Sequence, residues 1–165
     1  MQIVKVPAER IKFLKQRIED IEKAGSVKVT LSPEGEVSIE GEDAILEWRA
    51  VDVVKAIGRG FSADAAIQLF SEDYVLKVIN LKEMFDKPKQ RERYKARVIG
   101  TKGKAKRIIE NTSGADLAIY GSTVGILGKV DEVVLAEKAV RMLLRGASHG
   151  TTYLVLQKEK QRLMG

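Results

Sequence analysis

The sequence predicts an α+β protein built from two passes of one small fold. Three observations carry that prediction. The order strand, helix, strand, strand, helix occurs twice, with the passes about 70 to 75 residues apart. Apolar residues alternate in some short stretches and recur at three- and four-residue steps in others, so strands and amphipathic helices are both encoded. The chain has 165 residues and is 44% hydrophobic, which supports two small cores and argues against global disorder.

Ile3-Val4-Lys5-Val6 alternates as a strand and stops at Pro7. Ile11, Leu14, Ile18 and Ile21 then mark one amphipathic helix, ended by Ala24-Gly25-Ser26. Val27, Val29 and Leu31 form a strand, Ser32-Pro33-Glu34-Gly35 turns, and Val37 and Ile39 return to Gly41 as a hairpin. The next helix carries Ile45, Trp48, Val51, Val54, Ala56 and Ile57 as its expected buried stripe, with Trp48 read as core, and ends at Gly58. Ser62 caps a short helix to Phe70. The second pass opens with a strand from Tyr74 to Leu81 and a basic helix over about 90–99. Gly100 to Gly103 breaks that helix, and another runs from Lys104 to about Thr112. Strands follow at Asp116 to Tyr120 and Thr123 to Leu127, around Gly121-Ser122. A helix from Asp131 buries Val134, Ala136, Ala139, Val140, Leu143 and Leu144, and Ser148 to Met164 is helical at least over Lys158 to Leu163. The expected domains are 1–71 and 72–165.

Charge locates the function. Between Lys87 and Arg107 stand ten Lys or Arg and one acid, Glu92, a local charge of +9. The whole chain carries +6, so the remaining 144 residues are net negative. A single cationic segment on an otherwise acidic chain points to a polyanionic partner. The absence of cysteine excludes disulfides, thiolate zinc sites and thiol nucleophiles. No apolar run of membrane-spanning length occurs, Met1 to Pro7 shows no apolar region of signal-peptide length, and a cytoplasmic location is expected. No cofactor, metal site or catalytic set is expected. The one histidine, His149, reads first as a polar contact or capped turn and second as an RNA contact. Glu92 and Glu110, the acids near the basic segment, have no metal-site spacing, so an RNA-cleaving enzyme is the weaker alternative, and a general protein scaffold whose basic face is incidental is the other.

Gly100-Thr101-Lys102-Gly103 sits inside the cationic run. Glycines let a backbone approach a sugar-phosphate chain closely, and the start of the following helix favours phosphate. Lys102, Lys104, Lys106 and Arg107 supply cationic donors. Val98-Ile99-Gly100-Thr101-Lys102-Gly103-Lys104, followed by Ile109 to Ala115, resembles the core of a type I KH domain. That resemblance implies tandem type I KH folds, each a three-stranded sheet packed by three helices, and a clamp on about four nucleotides of single strand. It places RNA contacts at Arg97, Ile99, Gly100, Thr101, Lys102, Gly103, Lys104, Lys106, Arg107, Ile119 and Tyr120.

Gly103 to Thr112 and Thr123 to Gly128 narrow the match, as do Ala56 to Ser62 and the tail Ser148-His149-Gly150-Thr151-Thr152-Tyr153. They resemble the archaeal KH-domain rRNA processing proteins and their eukaryotic relative, the "partner of Nob-one" protein. The resemblance implies an assembly factor bound near the 3′ end of small-subunit rRNA, with a processing nuclease and a translation initiation factor as partners. Two departures stand out. Lys106 occupies a position that is apolar in a generic KH helix. Val6 to Ile18, where a first Gly-x-x-Gly loop belongs, has no glycine, so the first KH unit is expected to be degenerate, serving packing or protein docking. Tyr94 is expected to pack against Val98, and Tyr120 either to face an RNA groove and stack on a base or to be a partly buried sheet aromatic.

Overall fold

Strand β1 (Gln2–Lys5) opens the computed structural model, which describes residues 1–164. A 3-10 turn over Ala8–Arg10 follows Pro7. The single helix expected next is two helices, α1 (Ile11–Lys15) and α2 (Ile18–Gly25). Arg17 between them leaves helical geometry at φ −124° and ψ 14°, while Leu14 before the break and Ile21 after it are both fully buried. Apolar period alone cannot show such a break, because the apolar steps continue through it. Strands β2 (Val27–Leu31) and β3 (Glu36–Gly41) form the hairpin, and the antiparallel sheet has the order β1-β3-β2. Val4 lies opposite Val37 and Val29 opposite Ile39, so one face of the sheet is buried.

Helix α3 (Ala44–Gly58) covers that face. Asp43 caps it, its carboxylate accepting from the amides of Ile45 at 2.9 Å and Leu46 at 3.3 Å. The buried stripe is Ala50, Val53, Val54 and Ile57, and it corrects the expected one: Ile45 is 62% and Trp48 69% exposed. Small side chains at 50 and 53 let the helix approach closely, and at about 100° per residue the bulky Trp48 is turned away from them. Helix α4 (Ala63–Ile67) and a 3-10 turn over Gln68–Phe70 follow, with Ser62 capping the Ala65 amide.

By its internal contacts the chain divides between Leu76 and Lys77. Strand β4 (Tyr74–Asn80) belongs to a second three-stranded sheet, β4-β6-β5. Helices α5 (Pro88–Ile99) and α6 (Lys104–Ser113) precede β5 (Asp116–Tyr120) and β6 (Thr123–Lys129). β5 and β6 are antiparallel, with Leu117 opposite Ile126, and β6 is buried from Thr123 to Gly128. Helix α7 (Val130–Leu144) buries Val133, Ala136, Val140 and Leu143, whereas Val134, expected inside, is 52% exposed. The C-terminal segment is one helix, α8 (His149–Met164), longer than its sequence pattern indicated. Among the described residues no helix is long and apolar enough to cross a membrane.

Two contacts recur in both units. Arg10 donates to the carbonyls of Ile57 and Phe61, at the C-terminal end of α3. Arg97 donates to the carbonyls of Leu143 and Ala147, at the end of α7. Glu22 accepts from the Val29 amide at 2.9 Å, and Glu110 accepts from the Leu117 amide at 2.9 Å. Each glutamate thus ties the helix after the break to the strand seven positions on. Arg10 and Arg97 stand 87 positions apart and Glu22 and Glu110 stand 88 apart, which corrects the spacing of 70 to 75. That shorter spacing fits β1 and β4 alone. Most of the extra residues lie at 81–87 and in the first part of α5, since the same count sets α1 against the end of α5 and the turn after it.

Candidate nucleic-acid interface

The loop depends on how α5 is held. Pro88 at its first position presets the helical φ, and Val98 is its one buried residue. Tyr94 stacks on Phe85 with ring centroids 4.5 Å apart and planes 3° from parallel, a different partner from the Val98 expected. Arg91 donates to the carbonyls of Phe85 and Asp86 at 2.9 and 3.0 Å. Lys95 reaches the Gly121 carbonyl at 3.1 Å, in the turn between β5 and β6. Several cations of the basic segment therefore brace their own fold.

Gly100 ends α5, its amide donating to the Ala96 carbonyl at 2.8 Å. Its φ is +76°, and a Cβ there would lie 2.6 Å from the Ala105 nitrogen and 2.7 Å from the Ala105 Cβ. Glycine is required on both counts. Lys102 then takes φ 54° and ψ 30°, and Gly103 takes φ 76° and ψ 14°. Two successive left-handed residues turn the chain into α6. Gly103, as the N-cap of that ten-residue helix, offers no side chain to its first turn. The positive helix end is therefore left without a side-chain acceptor beside two exposed lysines.

The structure brings Gly100, Thr101, Lys102, Gly103 and Lys104 together as one turn, with Thr101, Lys102 and Lys104 exposed. Among the described residues the ammonium groups of Lys102 and Lys104 have no partner. Arg107 is exposed and folds back, donating to the Lys102 carbonyl at 2.7 Å, which braces the turn. Lys106 is half-buried and pairs with Glu110 at 3.3 Å. Ile99 is half-buried just before the turn. Ile119 and Tyr120 are half-buried at the end of β5, an edge strand packed on α6. Both donor contacts of the Arg97 guanidinium go to α7-end carbonyls, which braces the helix that leads into the turn.

Sequence reasoning weighed His149 as an RNA contact only second and missed Tyr153 and the wall that the two form beside the turn. A pocket of about 190 Å³ is lined by Gly100, Thr101, Lys104, Ala105, His149 and Tyr153. Both aromatic residues come from α8, four positions apart on one helical face, and that spacing was the available signal. Burial pushes the Tyr153 phenol above its ordinary pKa. Near the far end of α6, Asp116 is raised above the usual carboxylate value, first by desolvation and then by the negative charge of Glu110. Among the described residues no group of three or more His, Cys, Asp or Glu could hold a metal ion.

Two helices joined by a Gly-x-x-Gly turn, against a three-stranded sheet and a further helix, define an RNA-binding KH domain. The model for the second KH domain of the PNO1 proteins, a eukaryotic-type KH domain (type I), matches residues 75–161. A KH domain-containing protein of Methanocaldococcus jannaschii is 41% identical over 171 residues, covering 99% of this chain and 75% of that one. This chain belongs to the family of archaeal KH-domain proteins related to the eukaryotic pre-rRNA-processing protein PNO1. The Aspergillus fumigatus member, pre-rRNA-processing protein pno1, is 30% identical over 115 residues, 68% of this chain and 46% of that one. The chain therefore spans about half the length of that relative. The crystal structure of Dim2p from Pyrococcus horikoshii superposes with a TM-score of 0.87 at 38% identity, covering 95% of this chain and 98% of that one. In the a/eIF2alpha-aDim2p-rRNA complex from the same organism, the matching chain gives a TM-score of 0.90 at 38% identity, covering 98% and 94%.

Proposed function

We propose that this chain is a non-enzymatic factor in small-subunit rRNA processing. It holds single-stranded RNA near the 3′ end of 16S-type rRNA through its second KH domain. The observation that carries this reading is the Gly100–Gly103 turn. It combines two glycines at positive φ, a following helix without a side-chain cap, and unpaired Lys102 and Lys104. The RNA-contacting set is that turn with Ile99, Lys106, Arg107, Ile119 and Tyr120, while Arg97 acts by holding α5 against the end of α7. The P. horikoshii complex, which contains rRNA and a/eIF2alpha, supports an rRNA target and an initiation-factor partner. A processing nuclease is the second protein partner of this reading.

The proposal includes a tandem of KH folds, 1–71 and 72–165, with the first degenerate. The recurring Arg10/Arg97 and Glu22/Glu110 contacts support the duplication. Placing the boundary before Tyr74 keeps β4 whole within its sheet. Counting 87 residues back from the Gly-x-x-Gly turn leads to Phe13-Leu14-Lys15-Gln16, with Arg17 next. The Arg17 guanidinium is held by Asp20 at 2.5 Å and Asp64 at 2.6 Å. Where the second unit offers a free lysine, the first offers a neutralised arginine. We assign the first unit's exposed Ile45 and Trp48, beside a pocket of about 410 Å³ with Arg49 and Asp52, to protein contact.

The test is Thr101→Asp/Lys102→Asp, since aspartate tolerates the left-handed backbone of Lys102 better than most residues do. RNA binding is expected to vanish with thermal unfolding unchanged. Labelled RNA incubated with Mg²⁺ should remain uncut, and specific cleavage that co-purifies with the protein would overturn the non-enzymatic reading.

A further inference from the structure

We propose that the pocket between the Gly100–Gly103 turn and α8 is a base-binding site, which seats one nucleobase of the RNA strand that the turn clamps. The proposal rests on the clamp reading above and adds His149 and Tyr153 of α8 to it.

His149 Nε2 lies 2.9 Å from the Arg97 carbonyl. A carbonyl only accepts, so Nε2 carries the proton and donates, which fixes the ring orientation. That contact directs the other ring nitrogen, Nδ1, away from the Arg97 carbonyl. Tyr153 lies one helical turn further along α8, with its ring centroid 6.0 Å from that of His149 and the planes 57° apart. The two rings are not stacked on each other, and both line the pocket, so each presents part of its surface to it. The Tyr153 hydroxyl has no partner among the described residues, and neither does the Lys104 ammonium across the pocket.

Size and chemistry select the occupant. About 190 Å³ is below the roughly 300–1,000 Å³ of drug-sized ligand sites, and suits one ring system. Two aromatic side chains with polar edges read a base by stacking and hydrogen bonding, as single-strand binders do. The phosphate on the same nucleotide then meets Lys104 and the start of α6. The position of α8 is itself fixed: it packs on α6 and α7 with Thr152 and Leu156 buried, and the His149 ring bonds the Arg97 carbonyl of α5. The aromatic wall is therefore preorganised rather than drawn in by RNA.

The experiment is an abasic scan. A labelled RNA oligonucleotide with the 3′-terminal sequence of small-subunit rRNA is made with one abasic nucleotide at each position in turn. Each version is titrated against the full-length wild type, Tyr153→Leu, His149→Gln and Thr101→Asp/Lys102→Asp. Leucine keeps the packing of Tyr153, glutamine keeps a donor for the Arg97 carbonyl, and thermal unfolding of each variant verifies the fold. The proposal expects one position whose abasic version binds wild type about tenfold more weakly, within the range of base–aromatic stacking. Tyr153→Leu should weaken the intact RNA by a similar factor and lose the penalty at that position alone. An unchanged abasic profile in Tyr153→Leu and His149→Gln, with binding still lost in the loop variant, overturns the pocket and leaves the clamp standing. Undiminished binding by the loop variant overturns both.

Discussion

Arg97 and Lys104 stand seven residues apart in one cationic run and do different work. The Arg97 guanidinium is spent on the carbonyls of Leu143 and Ala147. Arg97→Met strips two carbonyls of their donor and should lower unfolding stability by about 1–3 kcal/mol, read in a denaturant titration. Lys104→Gln should leave that titration unchanged and reduce the log–log salt slope of RNA binding by about 1. Gly100→Ala tests the turn itself. Its Cβ would meet the Ala105 backbone at 2.6 Å under a positive φ, so a cost of about 1–3 kcal/mol and loss of RNA binding are expected together. Asp116 tests the electrostatics. Its folded pKa is raised by desolvation and by Glu110, so the native state binds its proton more tightly than the unfolded chain does. Stability then falls as pH rises from the ordinary aspartate value through the raised one. Asp116→Asn should raise the melting temperature at pH 7, and the gain should disappear below the ordinary aspartate range.

Helices and strands were legible where residue periodicity was the whole signal. The hairpin at Ser32 to Gly35, the breaks at Gly58 and Gly100, and the strands around Gly121 follow from alternation and turn chemistry. Three features escaped for physical reasons. The α1–α2 break at Gln16-Arg17 has no glycine or proline to announce it. In α3 the buried face is chosen by small side chains that permit close approach, so size misled the reading of Trp48. The aromatic wall of the site stands on α8, about fifty positions from the loop, and such a distance is closed only by tertiary packing. Trp48→Ala follows from the corrected stripe. It should change stability by no more than about 0.5 kcal/mol and leave RNA affinity intact.

Charge is distributed by unit. Up to Leu76 there are ten Lys or Arg against fourteen Asp or Glu, a net −4. From Lys77 onward there are nineteen against nine, a net +10. A chain polarised in this way presents its RNA-attracting field from the unit that holds the Gly-x-x-Gly turn. The measurement that bears most directly on the central claim is fluorescence anisotropy across a salt series. It uses a labelled 3′-terminal small-subunit rRNA oligonucleotide and a scrambled control, with wild type and Thr101→Asp/Lys102→Asp. For wild type the account predicts a log–log slope near −3, as about four neutralised single-strand phosphates require. It also predicts a preference for the native RNA that survives at high salt, and both features should vanish in the variant. Binding that is indifferent to sequence and unchanged by the two aspartates would contradict the claim that this turn is the RNA clamp.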